Sequence, residues 1–293
     1  MTQLAAIRSA EVVAALRAVA AGETSLAVRC EDRLAEHFLG LKHRMLTAIR
    51  PRPLLRHILH VAAPGSYGFA IARTRHFDET LASEIRAGVK QVVLLGAGYD
   101  SRPFRFQEQL AGVRIFEVDH PGTQARKRRI LDGVIKASPA NVSFIPVDFN
   151  RQCFRRALSE HGFARDAKTL FLWEGVSYYL PQRVVEGVLD FVAGCAPGSS
   201  ILFDYAIKSF VDGDTSTYGG KQVARWLKRI GEPFLFGLDA AATGEFLAGR
   251  KLELVSDLGP EELETSYLRT TDGCCLGRTL GHVRMAHAAV PSR

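Results

Sequence analysis

The stretch Gln91-Val-Val-Leu-Leu-Gly-Ala-Gly-Tyr-Asp-Ser-Arg102 decides how the rest of the chain is read. Its apolar run, Val92 to Leu95, is too short for a helix and suits a strand buried on both faces. The run leads straight into Gly96-Ala97-Gly98, whose glycines let the backbone turn sharply and approach a ligand with no Cβ in the way. One βαβ unit later, Val113-Arg-Ile-Phe-Glu-Val-Asp119 reads as a second strand ending in an acid. Strand, glycine turn and following carboxylate are the parts that hold a nucleotide-like ligand, with backbone at one end and an acid on the ribose hydroxyls. By alternation Glu117 and Asp119 share a face, and Asp119 lies nearer the strand's carboxyl end. The competing role for Asp119 is to cap the helix that follows.

Outward from this stretch the pattern alternates. Strands are expected at 113–118, 142–147, 168–173 and 199–205. Helices are expected near 105–110 and at about 122–136, 151–160 and 181–193. Such alternation predicts a Rossmann-like, doubly wound and mostly parallel sheet with helices on both faces. Ligands of these sheets bind beyond the carboxyl ends of the strands. Here those ends are Gly96–Ser101, Asp119, Asp148-Phe149 and Trp173-Glu174-Gly175, which should converge on one crevice. Two late strands, 251–258 and 278–288, are expected to form an antiparallel edge. Before the core, residues 1 to about 60 read as helices at 11–20, 32–43 and 54–61. The organisation expected is a helical cap and substrate region over 1–85 and a core over 86–293, with a lid insertion at about 206–238. Within that insertion 208–220 is turn-rich and 221–229 is helical, with Trp226 on its face.

Composition narrows the class. A chain of 293 residues, 47% hydrophobic and 24% charged, matches a soluble globular protein with a substantial core. The five cysteines, Cys30, Cys153, Cys195, Cys274 and Cys275, are odd in number and form no C-x-x-C pair. Free thiols in a reducing cytoplasm are therefore expected, with no disulfide framework and no metal site. No secretory h-region and no membrane-length apolar run are present, so a cytoplasmic location with no membrane partner is expected. The net charge of +7 leaves room for an anionic partner. The basic cluster Lys42, His43, Arg44, Arg50, Arg52 and Arg56 reads as a solvated helical face, with an acidic ligand or nucleic acid as the alternative. Arg73 and Arg75, just before the first strand, could clamp a carboxylate bidentately or bridge to Asp78 or Glu79.

Two ligand classes use such an opening: dinucleotides and S-adenosylmethionine. A dinucleotide turn wants a third glycine where this chain has Ser101. Tyr205 and Lys208 are also one residue too close for a Tyr-x-x-x-Lys pair. The segments Val-Val-Leu-Leu-Gly-Ala-Gly-Tyr-Asp-Ser-Arg, Phe-Glu-Val-Asp-His-Pro, Val-Asp-Phe and Trp-Glu-Gly-Val-Ser-Tyr-Tyr-Leu-Pro together resemble the leucine carboxyl methyltransferase family. More narrowly, they resemble its bacterial branch of O-methyltransferases, some linked to polyketide biosynthesis. The likeness runs from about residue 67 to 290.

That resemblance implies a class I S-adenosylmethionine-dependent methyltransferase. By it Arg73 holds the methionine carboxylate, Gly96 and Gly98 pass under the methionyl part, and Asp119 takes the ribose hydroxyls. Asp148 and Phe149 contact the adenine, while Glu174 and Gly175 line the crevice near the cofactor amine. Because the sulfonium already activates the methyl group, the protein's task is mainly alignment and desolvation, with Tyr178 and Glu174 as the aligning residues. A small-molecule carboxylate of secondary-metabolite type is the expected acceptor, since it is ionised at neutral pH and needs no base. C-, N- or phenol O-methylation is the alternative, with His120, Tyr178 or Glu174 as candidate bases. Substrate contacts are expected from the cap, the 208–220 loop, Tyr178, Tyr179, Arg102 and Arg105. A nucleic-acid partner is disfavoured, because the fourth strand ends Phe-Leu-Trp-Glu-Gly and not in the Asn/Asp-Pro-Pro-aromatic turn used on base amines. Oligomeric state is left open.

Overall fold

A computed structural model of the chain describes residues 3–25, 27–49, 51–149 and 152–292, with the side chains of 3–8 and 52 outside that description. Arg50 and the Arg52 side chain of the basic cluster therefore lie outside the described residues.

The elements, in chain order, begin with four helices: α1 (Gln3–Ala20), α2 (Leu41–Thr47), α3 (Arg52–Ala62) and α4 (Ser66–Arg86). The alternating run follows as β1 (Gln91–Leu95), α5 (Arg102–Arg105), β2 (Arg114–Asp119), α6 (Pro121–Asp132), β3 (Val142–Pro146), α7 (Phe154–Glu160), β4 (Thr169–Trp173), α8 (Gln182–Ala193) and β5 (Ser200–Ile207). The chain ends with α9 (Lys208–Val211), α10 (Gly220–Ile230), β6 (Gly237–Leu238), α11 (Thr243–Ala248), β7 (Glu253–Leu258), α12 (Pro260–Tyr267) and β8 (Val283–Ala289).

The sheet runs β3-β2-β1-β4-β5-β8-β7, with β6 paired to β5. Pairs from β3 through β5 are parallel, whereas β8 is antiparallel to both β5 and β7. Strand order reverses between β1 and β4, and the carboxyl ends flanking that switch point frame the crevice. Every residue of β1 and of β4 is buried, which explains their continuous apolar sequences: both faces are covered. Val93, Leu95, Phe171 and Trp173 face one cluster with α7 and α8, including Leu158, Val185 and Leu189. Val92, Leu94, Leu170 and Leu172 face the other, with Phe69, Ala72, Phe77 and Leu81 of α4 and Leu263 of α12. Helix α4, which the sequence groups with the cap, is thus a covering layer of the sheet.

Several expectations change in detail. The helix expected at 105–110 is instead a single turn at Arg102–Arg105, because Pro103 sets helical φ at its start. The late strand begins at Val283, not Arg278, and an additional helix, α12, precedes it. Residues 208–220 open with the short α9 and lead into α10, which is bounded by left-handed Gly219 and Gly231. No helix among the described residues is long and apolar enough to cross a membrane.

Candidate active site

A cavity of about 650 Å³ opens at the strand ends, beneath α1, α2, α3 and α10. Its volume lies within the roughly 300–1,000 Å³ of small-molecule sites. On the sheet side it is bordered by Arg73, Gly96, Gly98, Asp119, Asp148, Phe149, Glu174, Gly175, Tyr178 and Tyr179, so residues widely separated in sequence meet at one place.

The glycine turn is built by backbone geometry. The N–H groups of Gly96 and Ala97 both donate to the Val118 carbonyl of the neighbouring strand. Gly96 and Gly98 sit at φ +67 and +47, conformations that glycine adopts without strain. A Cβ at Gly96 would meet Val176 Cγ2 at 2.5 Å, so this position has no room for a side chain. The Gly98 N–H donates to Asp119 Oδ2 (2.9 Å) and the His120 N–H to Asp119 Oδ1 (2.7 Å). Each oxygen keeps a second lone pair for a ligand. Burial pushes the Asp119 carboxyl up to about 6, opposed by the His120 N–H, Lys127 and the Gly98 N–H. The helix cap after β2 is His120, whose Nδ1 accepts from the Gly122 N–H, so Asp119 is not consumed by capping. Glu117, on the same face, is not part of the cavity: it pairs with Lys127 (2.7 Å) in the interior.

Around β4 the carboxylate of Glu174 is shared. Oε1 lies 3.1 Å from Arg73 Nε and Oε2 accepts from Arg102 Nη1 at 2.8 Å. Burial alone would raise this carboxyl, but Arg102 and Arg73 outweigh it and hold it below its ordinary value. Arg73 also donates to Asp204 Oδ2 (2.9 Å), and Asp204 Oδ1 accepts from the Gly175 N–H (2.8 Å). Asp204 is fully buried, and burial keeps its carboxyl above the usual range despite Arg73. Arg73 therefore borders the cavity while two acids fix its guanidinium. Its sequence neighbour Arg75 turns the other way, to Glu79 (3.4 Å).

Arg102 does not serve as a substrate contact. It is 1% exposed, outside the cavity, and held by Asp78 (2.7 Å), Asp100 (2.6 Å) and Glu174 (2.8 Å). Arg105 is likewise turned to Asp78 and Ser101. Neither guanidinium is free for an acceptor, because short carboxylates on α4 and the turn reach it first. Nor do residues 208–220 border the cavity; that wall comes from α10 through Gln222, Val223, Arg225, Trp226 and Arg229. Tyr178 and Tyr179 do border it, in an aromatic group with Phe234. Burial raises the Tyr178 hydroxyl well above its ordinary value, and Asp204 adds to the effect, so the phenol stays protonated.

Sequence reasoning missed Asp204, although a lone acid in the apolar strand Ser200–Ile207 is a signal for a buried partner. It also missed how α1 seats on the glycine turn. There Arg17 donates to the Tyr99 carbonyl and pairs with Asp32, while Phe38 stacks on Tyr99 at 4.7 Å.

Comparison with known proteins places this architecture. The described fold matches a DUF574 family protein from Streptomyces avermitilis (TM-score 0.62, 13% identity, 96% of this chain and 97% of that one). It also matches the "putative methyltransferase" of Thermobifida fusca (TM-score 0.56, 17% identity, 95% and 94%). At these identities the likeness is one of fold. In sequence the chain is 30% identical over 198 residues to Bacillus subtilis YktD, named "Putative S-adenosyl-L-methionine-dependent methyltransferase", covering 67% of this chain and 65% of that protein. It is 38% identical over 139 residues to the Streptomyces coelicolor protein SCO6443, which carries the same designation, covering 46% and 45%. The matched stretches span less than two thirds of the length of these relatives. The leucine carboxyl methyltransferase family model matches residues 10–193, more than half of the chain, from α1 through α8 and across every strand end that borders the cavity. The chain belongs to the leucine carboxyl methyltransferase family.

Proposed function

We propose that the chain is an S-adenosylmethionine-dependent methyltransferase that esterifies a carboxylate on a small organic acid of secondary-metabolite type. The residues present fit the cofactor. Asp119 presents open lone pairs suited to two ribose hydroxyls, beside a turn that carries no side chain at Gly96 or Gly98. Val147, Asp148 and Phe149 supply an edge for the adenine, and Arg73 and Glu174 offer opposite charges to the methionyl carboxylate and amine. When bound, the cofactor supplies a methyl group already activated by its sulfonium. The chain's own residues then exclude water and orient the acceptor: Phe69, Tyr178, Tyr179, Trp226, Phe234 and Leu280 form an apolar wall.

The observation that carries the carboxylate reading is the distribution of bases. Of the two histidines on the cavity, His120 adjoins Asp119 and caps α6. His43 is tied to Glu11 (2.8 Å) beside Ala10, whose Cβ lies 3.7 Å from where Gly98 would carry one. Both stand on the ribose side, and Glu174, the remaining candidate, has one oxygen against Arg73 and the other against Arg102. The aromatic wall offers a protonated Tyr178, which can donate a hydrogen bond to an acceptor oxygen and cannot take its proton. A carboxylate, ionised near pH 4 in water, needs no proton removed. The roof of α1, α2, α3 and α10 favours a small molecule over a nucleic acid. The test is incubation with S-adenosylmethionine and a panel of acids, phenols and amines. Methyl esters with stoichiometric S-adenosylhomocysteine are expected, and methylation confined to phenols or amines would overturn the carboxylate assignment.

A further inference from the structure

The cations around the cavity are not equivalent. Arg17 is paired with Asp32, Arg73 with Glu174 and Asp204, and His43 with Glu11. Arg225 and Arg229 differ: among the described residues neither has an ion pair, and Arg225 only donates to the Lys221 carbonyl one turn back (3.2 Å). Both border the cavity from α10, whereas the lysines of the same helix, Lys221 and Lys228, do not. Positions 225 and 229 are one helical turn apart and so project side by side. Two adjacent guanidiniums form a planar, multidentate receptor for a carboxylate or phosphate. Trp226 and Val223 of the same helix also border the cavity, as does Phe234, which packs on Tyr178 (4.3 Å) and Tyr179 (5.2 Å). Arg225 and Arg229 are exposed and Tyr178 is buried, so the cavity has a cationic, solvent-facing side and a buried aromatic side.

Resting on the acceptor site proposed above, we propose that the substrate is a bifunctional acid: an apolar body with the reacting carboxylate at the inner end and a second anionic group held by Arg225 and Arg229. The inner end leaves no cation for the reacting group, since Arg73 is shared by Glu174 and Asp204 and, on the reading above, faces the cofactor's own carboxylate. The distal anion therefore supplies orientation, and the reacting carboxylate is left free to act as nucleophile.

The probes are α,ω-dicarboxylic acids from hexanedioic to dodecanedioic, each with the monocarboxylic acid of equal length, and ω-phosphono acids as a third arm. Trp226 borders the cavity while Trp173 is fully buried in the core, so tryptophan fluorescence reports binding without turnover, with Trp226→Phe as the control. At its best length a diacid is expected to bind about tenfold more tightly than its monoacid, a margin of one charge-assisted contact pair. In the Arg225→Gln/Arg229→Gln double variant that ratio falls to about one. A tighter phosphono acid identifies a phosphate-type distal group; a tighter diacid identifies a carboxylate. Equal affinity for diacid and monoacid in the parent protein, a ratio that survives the double substitution, or no binding by any probe overturns the proposal. Discrimination in binding without ester formation leaves the distal anion site standing and removes carboxylate methylation, so the two readings fail separately.

Discussion

Substituting Arg73 should expose how much the site's charge arrangement contributes to the fold itself. Glu174 would keep Arg102 as a partner, but Asp204 would lose the cation it holds among the described residues. Asp204 is 0% exposed and would be left with the Gly175 N–H as its counterpart. Removing one member of a buried pair costs about 3–5 kcal/mol. At about 2 °C per kcal/mol for a chain of this size, Arg73→Met should melt roughly 6–10 °C lower. The sign of the pH dependence follows from Asp204. Its carboxyl is raised by burial even with Arg73 present, and further without it. A raised folded value favours the protonated native state, so the variant's deficit grows as pH rises. The deficit should be larger at pH 8 than at pH 5 in thermal melts. Arg73→Met/Asp204→Asn should recover most of the loss, because the asparagine oxygen can still accept from Gly175. A single variant that melts with the parent, or a double no better than the single, refutes the argument. The cofactor role proposed for Arg73 is then best measured with Arg73→Lys, which keeps the charge and loses the planar fork.

The remaining expectations concern the same strand ends. On the proposed assignment ribose hydroxyls would donate to an ionised Asp119, whose carboxyl stands at about 6, so S-adenosylmethionine affinity by calorimetry should fall about tenfold between pH 7.5 and 5. Asp119→Asn should bind weakly with no such slope, and a parent affinity independent of pH would refute the assignment. Gly96→Ala combines a left-handed φ with a 2.5 Å clash on Val176 and should cost about 2–4 kcal/mol in denaturant unfolding. Adding Val176→Ala should restore only the steric part, and full recovery would show that φ carries no strain. Lys127→Met strands Glu117, which burial has already pushed up to about 7. Its loss of melting temperature should be greater at pH 8 than at pH 6 and should be relieved by Glu117→Gln.

The residues chosen for these perturbations differ in how legible they are in one dimension. The strand Val92–Leu95, the turn at Gly96–Gly98 and the acid at Asp119 are local: a strand covered on both faces must be apolar, and a turn at positive φ favours glycine. Register and period carry that information within a few residues, so β1, β2, β4 and β5 fall close to where their patterns place them. The ion pairs do not work that way. Arg73 meets Asp204 across 131 positions, and Arg102 meets Glu174 across 72. Nothing in the sequence around Arg102 distinguishes a guanidinium aimed at substrate from one surrounded by Asp78, Asp100 and Glu174. The deciding fact is that α4 lies on the sheet and brings Asp78 to 2.7 Å from Arg102. The same holds for α10. Its spacing predicts an amphipathic helix, but only the tertiary arrangement turns Trp226, Arg225 and Arg229 onto a cavity. Chemistry held by backbone can therefore be read from composition and spacing. Chemistry held by charge becomes visible once distant segments are packed, which is why the glycine turn and Asp119 were the more legible part of this cavity and the arginines around it the less.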